Sequence, residues 1–142
     1  MRFDTKIAVI VRDDLADWQK LNVTAFLSSG LSRATDDIVG KPYEDASGYT
    51  YLPMFREPVL VYAADTPGLI RAHTRALTRA LPTALYTEEL FNTDTPNDPN
   101  TPNNTRPTPH TAEPPDLNLV GLALYGPRGQ VDRVTRGLRP HR

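Results

Sequence analysis

The run Ile7-Ala8-Val9-Ile10-Val11, closed by Lys6 and Arg12, is the segment that most limits what this chain can fold into. Neighbouring side chains in a strand point to opposite faces, so five consecutive apolar residues leave both faces hydrophobic. Such a strand needs a covering layer above and below, and it belongs in the interior of a sheet. The run stops at Arg12-Asp13-Asp14-Leu15. Trp18, Leu21, Val23, Ala25, Phe26 and Leu27 then recur at roughly helical spacing, with Trp18 expected to pack within the helix. Ser28-Ser29-Gly30 reads as the stop of that helix.

Further along, Gly40 to Pro58 contains Asp45-Ala46-Ser47-Gly48 between two tyrosine-bearing segments, which predicts a small hairpin and an extended crossing. Val59 to Ala64 is a second strong strand. Asp65-Thr66-Pro67 supplies a polar cap and a first-turn proline for a helix whose apolar face is Leu69, Ile70, His73, Ala76, Leu77, Ala80 and Leu81. Pro82 is expected to end it, and Thr83 to Thr87 forms a short third strand. Leu117 to Tyr125 is a fourth, interrupted by Gly121. Gly126-Pro127-Arg128-Gly129 is read as a turn, and Val131, Val134 and Leu138 as one face of a last short helix. Strands alternating with helices imply a sheet with parallel pairs and helices on both faces. The expected architecture is a three-layer α/β/α sandwich around a mixed sheet of four or five strands.

The 142 residues fit one domain, but the hydrophobic content of 39% is unevenly spread. Asn92 to Asp116 holds seven Pro, five Asn and six Thr, with Ala112 its single apolar residue. Such a composition buries little area and opposes both helix and strand, so residues 92–116 are expected to form a flexible loop. Sixteen basic against seventeen acidic residues leave a formal charge of −1. That balance gives no global electrostatic drive toward DNA or RNA. The absence of cysteine removes disulfides, thiolate nucleophiles and cysteine metal sites. The first apolar run is too short for a signal peptide or a membrane span, so a cytoplasmic protein is expected, without a membrane partner.

Two segments at opposite ends of the chain resemble the type II peptidyl-tRNA hydrolases. Val9-Ile10-Val11-Arg12-Asp13-Asp14-Leu15, followed by Lys20 at a helix start, is similar to their opening. Val120 to Leu138, with Gly126-Pro127 inside it, is similar to their closing strand, turn and helix. Glu57-Pro58-Val59-Leu60-Val61 resembles their second strand. A closer resemblance is to the family catalogued as domain of unknown function 2000, itself similar to the hydrolases in fold. It is carried by Lys20 to Phe26, Pro42-Tyr43-Glu44-Asp45, Tyr51-Leu52-Pro53-Met54 and Tyr86 to Phe91.

The hydrolase resemblance implies a site at the carboxyl ends of the strands, where open α/β sheets hold ligands. The hydrolases use a lysine at the first helix start, an aspartate after the third strand and a threonine just beyond. Lys20 takes the lysine's place and Glu88 the aspartate's, while their Asp-Ala-Gly-x-Thr pattern is missing. The implied chemistry is general base catalysis by a carboxylate, with an ammonium stabilising the oxyanion as an acyl ester or amide breaks. Lys20 and Glu88 are then the active pair, Asp14 their organiser, and Arg12, Asp13, Asn22, Thr24 and Thr87 the substrate-binding candidates. Read structurally instead, Lys20 and Asp14 form a local ion pair at the strand-to-helix turn. Peptidyl-tRNA or a smaller acyl conjugate is the implied substrate, and a homodimer the implied assembly. The competing expectation is a non-catalytic ligand-binding module that kept the cleft and lost the reaction.

Arg71, Arg75 and Arg79 recur every four residues, and five arginines crowd the last fifteen positions beside the single acid Asp132. Both stripes are expected to be solvated faces rather than RNA contacts. His73, His110 and His141 have neither metal-ligand spacing nor a neighbouring serine–acid pair. Glycine-rich phosphate loops are missing, so no metal and no cofactor is expected.

Overall fold

The computed structural model describes residues 3–91 and 118–141, so the expected loop at 92–116 lies outside the described residues. Strand β1 (Thr5–Arg12) is central, as its sequence requires. All five residues of the Ile7–Val11 run are fully buried. Its odd and even positions part to the two faces. Ile7, Val9 and Val11 join Val23, Leu27 and Leu31 of helix α1 (Asp17–Leu31). Ala8 and Ile10 join Leu69, Ala72 and Ala76 of α2 (Thr66–Thr78) and Val131 and Val134 of α3 (Arg128–Thr135). Each large aliphatic side chain so buried contributes about 1.5–3 kcal/mol over leaving it in water.

The hairpin strands are β2 (Tyr43–Glu44) and β3 (Thr50–Tyr51). The remaining strands of the main sheet are β4 (Val59–Ala64), β5 (Thr83–Thr87), β6 (Leu119–Pro127) and β7 (Arg139–Pro140). The five-stranded sheet runs in the order β5-β6-β1-β4-β7. Among the described residues only β1 and β4 pair in parallel; the other three pairings are antiparallel. The amide of Glu88 donates to the carbonyl of Asn118 at 2.8 Å, so β6 enters the sheet at the end where β5 leaves it.

Several sequence expectations are corrected. Helix α1 passes through Ser28-Ser29-Gly30 to Leu31, because Leu31 has a place in the core. Trp18 and Leu21 do not pack; they are 64% and 73% exposed, and the buried face of α1 is Val23, Leu27 and Leu31. Helix α2 ends at Thr78, before Pro82, with Ala80 in the left-handed region at φ 51°. Gly126-Pro127 is no turn: β6 continues through both, Thr5 opposing Pro127, and α3 starts at once. Gly121 does not interrupt β6 but leaves the space that Val23 and Leu27 of α1 fill. Helix α3 stops at Thr135, and after Gly137 at φ 86° the chain forms β7, a strand not expected from its two residues. Leu138 therefore lies beyond the helix.

Candidate functional site

Parallel pairing of β1 and β4 brings two carboxyl ends side by side, and the amide of Asp13 donates to the carbonyl of Ala64 across them at 2.9 Å. Beside this junction α2 begins. Asp65 caps it by accepting from the Gly68 amide at 2.8 Å. Gly68 keeps this corner uncrowded, since a Cβ there would lie 3.0 Å from Asp65 Oδ1 and 3.2 Å from the Cβ of Ala64. Strand β7 completes the edge, held by its Tyr62–Pro140 and Ala63–Arg139 pairing and by the His141 amide donating to Val61 at 2.8 Å. These elements enclose a cleft of about 920 Å³. Asp13, Lys20, Asp65, Arg71, Arg139 and His141 are its charged and titratable lining.

Lys20 sits in the first turns of α1, half-buried, and reaches this cleft. Among the described residues its ammonium has no ion-pair partner, and neither do Arg71 and Arg139. The expected ion pair of Lys20 with Asp14 is replaced by another. Arg12 Nε donates to Asp14 Oδ1 at 2.6 Å, and the same guanidinium stands 3.8 Å from Glu88 Oε2. Arg12 thus gathers Asp14 and Glu88 on the β5 side of the β1 terminus, whereas the cleft opens on the β4 side. Glu88 is not in the cleft lining.

The other candidates fall as follows. Asp13 is exposed and in the cleft. Thr24 gives its hydroxyl to the Lys20 carbonyl at 2.8 Å within the helix, and Asn22 is half-buried. Thr87 is buried at the end of β5 and away from the cleft lining. Among the described residues its hydroxyl has no partner of hydrogen-bonding geometry, yet it lies close enough to help hold the Glu89 carboxyl low. The principal cause of that lowering is Asn118, whose Nδ2 donates to Glu89 Oε1 at 2.8 Å. Glu89 was legible only as the second half of a Glu-Glu doublet; its partner lies 29 residues away.

Sequence reasoning also missed Arg71, Arg139 and His141 as neighbours of Lys20. The carboxyl-end rule pointed to this edge, but β7 gave no periodic signal that would place the last two. The arginine stripe on α2 is partly structural as well. Arg75 donates to the Arg136 carbonyl at 3.1 Å and ties α2 to the end of α3. Among the described residues no three His, Cys, Asp or Glu side chains gather as metal ligands, and no helix is long and apolar enough to cross a membrane.

A mixed α/β domain with helices on both faces and a cleft beyond its parallel strand ends is the class these features define. The chain matches the family described as "Protein of unknown function (DUF2000)" over residues 5–142, and it belongs to that family. A solved structure from Agrobacterium tumefaciens, titled a protein of unknown function, is 44% identical in sequence. The two superpose with a TM-score of 0.87 over 99% of this chain and 100% of that one. Comparison with curated proteins gives no match.

Proposed function

We propose that the cleft between β4, β7 and the N-terminus of α2 binds a small molecule carrying a carboxylate or phosphate, an acyl conjugate being the class that the hydrolase resemblance favours. The observation that carries this reading is the cationic lining. Lys20, Arg71 and Arg139 face one cavity without ion-pair partners among the described residues, while one of the two lining carboxylates, Asp65, is engaged in capping. The cavity volume falls in the range of small-molecule sites, roughly 300–1,000 Å³. In this reading the hydrolase-like cleft is kept and turnover is not its task. The missing Asp-Ala-Gly-x-Thr pattern and the position of Glu88 outside the cleft lining both support it.

A second reading keeps hydrolysis and is favoured by one observation: Asp13 and Lys20 line the same cleft, and among the described residues neither is held in an ion pair. A carboxylate to take a proton from water and an ammonium to receive the oxyanion are the two groups acyl transfer needs. In that case Asp13 takes the role the sequence suggests for Glu88. The finer kinship with type II peptidyl-tRNA hydrolases belongs to the same proposal; the central β1 between β4 and β6, with helices on both faces, supports it.

Calorimetric titration with inorganic phosphate and with an N-acetylated amino acid tests the first reading. Binding weakened roughly tenfold in Lys20→Ala, about 1.4 kcal/mol, is expected. Equal binding by the unaltered chain and by Lys20→Ala would refute it. Assays on peptidyl-tRNA and simple acyl esters separate the readings. Turnover lost in both Lys20→Ala and Asp13→Asn, and kept in Glu88→Ala, would establish the second; turnover lost in Glu88→Ala would restore the pairing read from the sequence.

A further inference from the structure

The cleft beyond β1 and β4 holds charges of both signs that do not satisfy one another. Asp13 directly follows β1, and its amide, bonded to the Ala64 carbonyl at 2.9 Å, fixes its backbone at the seam of the two parallel strands. The cation next to it in sequence is engaged on the other flank. Arg12 donates to Asp14 at 2.6 Å and stands 3.8 Å from Glu88. Among the described residues the exposed Asp13 carboxylate has neither an ion-pair partner nor a side-chain hydrogen bond. In the same lining stand Lys20 of α1, Arg71 of α2 and Arg139 of β7, brought from three separate elements and equally unpaired among the described residues. The second lining carboxylate, Asp65, is occupied by the Gly68 amide at 2.8 Å.

Free cations and a free acid around one hollow complement a ligand that carries both signs of charge, with the negative in excess. We propose that the molecule bound here is a zwitterion, a primary ammonium joined to a carboxylate or phosphate, and that Asp13 receives the ammonium. This rests on the anion-binding reading of the cleft and names the class of ligand within it. An ammonium offers three donors and no acceptor, and an ionised carboxylate is acceptor only, so the two match without a competing orientation. A hydrogen bond with charge on both partners is roughly twice as strong as a neutral one. Lys20, Arg71 and Arg139 take the anionic end. A cleft of about 920 Å³ leaves room for both ends to be engaged at once. For an acyl conjugate, the consequence is an amine that is free rather than acylated. Net charge alone argues for the opposite preference. Acetylating the amine makes a ligand more negative, and a lining with cations in excess then attracts it more strongly. Tighter binding of the free amine is therefore a signature of Asp13 and not of the cationic lining.

The test is calorimetric titration of the full chain near neutral pH and at low salt, where exposed charges are least screened. Two pairs of probes serve: O-phosphoserine and glutamate, each beside its N-acetyl form. Each free amine is expected to bind roughly tenfold more tightly than its N-acetyl form. The pair that binds more tightly identifies the anion as phosphate or carboxylate. Asp13→Asn keeps the tethered amide and the size of the side chain, and it is expected to reverse the order in favour of the N-acetyl forms. Lys20→Ala is expected to weaken both members of each pair and to leave their ratio in place. N-acetyl forms that bind the unaltered chain as well as the free amines would overturn the inference, and so would a preference that survives Asp13→Asn. Inorganic phosphate separates this failure from that of the cleft itself. If phosphate binds through Lys20 while the amine preference is absent, the zwitterion alone falls. If neither phosphate nor any of the probes binds, the anion-binding reading falls with it. The comparison of free and acetylated probes needs no substitution, so poor folding of a variant cannot shield the proposal.

Discussion

Gly121 shows how little room the contact between α1 and β6 allows. A Cβ at this position would lie 2.6 Å from Val23 Cγ1 and 3.0 Å from Leu27 Cδ1, both fully committed to the core. Gly121→Ala is therefore expected to destabilise by about 1–3 kcal/mol, the usual cost of overpacking. The urea midpoint should fall with an unchanged slope. Gly129→Ala is the control: nothing lies within 4 Å of its Cβ position, and its midpoint should hold or rise. His73 carries a different kind of information. It is buried on α2, its Nδ1 has no partner among the described residues, and desolvation lowers its pKa below the ordinary 6.5. The unfolded chain thus takes up a proton before the folded one does. Stability from this group is complete above pH 6.5 and is lost as pH falls from there toward the folded pKa. Chemical denaturation at a series of pH values should show this decline, and His73→Phe should flatten it; an identical profile in the variant would assign the decline to other groups.

At the scale of elements, the cap of α2 connects fold and cleft. Asp65 leaves β4, stops the helix amides from going unsatisfied and lines the cavity. Asp65→Ala should cost about 1 kcal/mol in stability, read as a fall in thermal midpoint, through loss of the cap. This helix start was legible in the sequence because Asp-Thr-Pro is a local signal whose physics is complete within three residues. The same holds for the Ile7–Val11 strand and for the hairpin around Asp45. What was not legible depended on distant partners. Trp18, Leu21 and Val23 have comparable apolarity, and nothing local decides which of them faces β6. Gly126-Pro127 has the composition of a turn, yet its place opposite Thr5 and Lys6 holds it in the sheet. Strand β7 exists only because Tyr62 and Ala63 offer it an edge.

For the molecule as a whole, the consequential difference between sequence and structure lies in which carboxylate shares space with Lys20. Reading along the chain placed Lys20 and Glu88 at one end of the sheet, and they are at one end. Strand order then divides that end: β6 stands between β5 and β1, Arg12 holds Glu88 and Asp14 on one flank, and Lys20 meets Asp13, Arg71 and Arg139 on the other. Strand order is a property of tertiary pairing, and no spacing of residues encodes it directly. The β4 flank is therefore the proposed ligand site. Amide chemical shifts followed during titration with inorganic phosphate and an N-acetylated amino acid test this most directly. Shifts concentrated at Asp13, Lys20, Asp65 to Arg71 and Gly137 to His141 are the predicted result. Shifts concentrated around Glu88, Glu89 and Asn118, with the β4 flank unmoved, would contradict it.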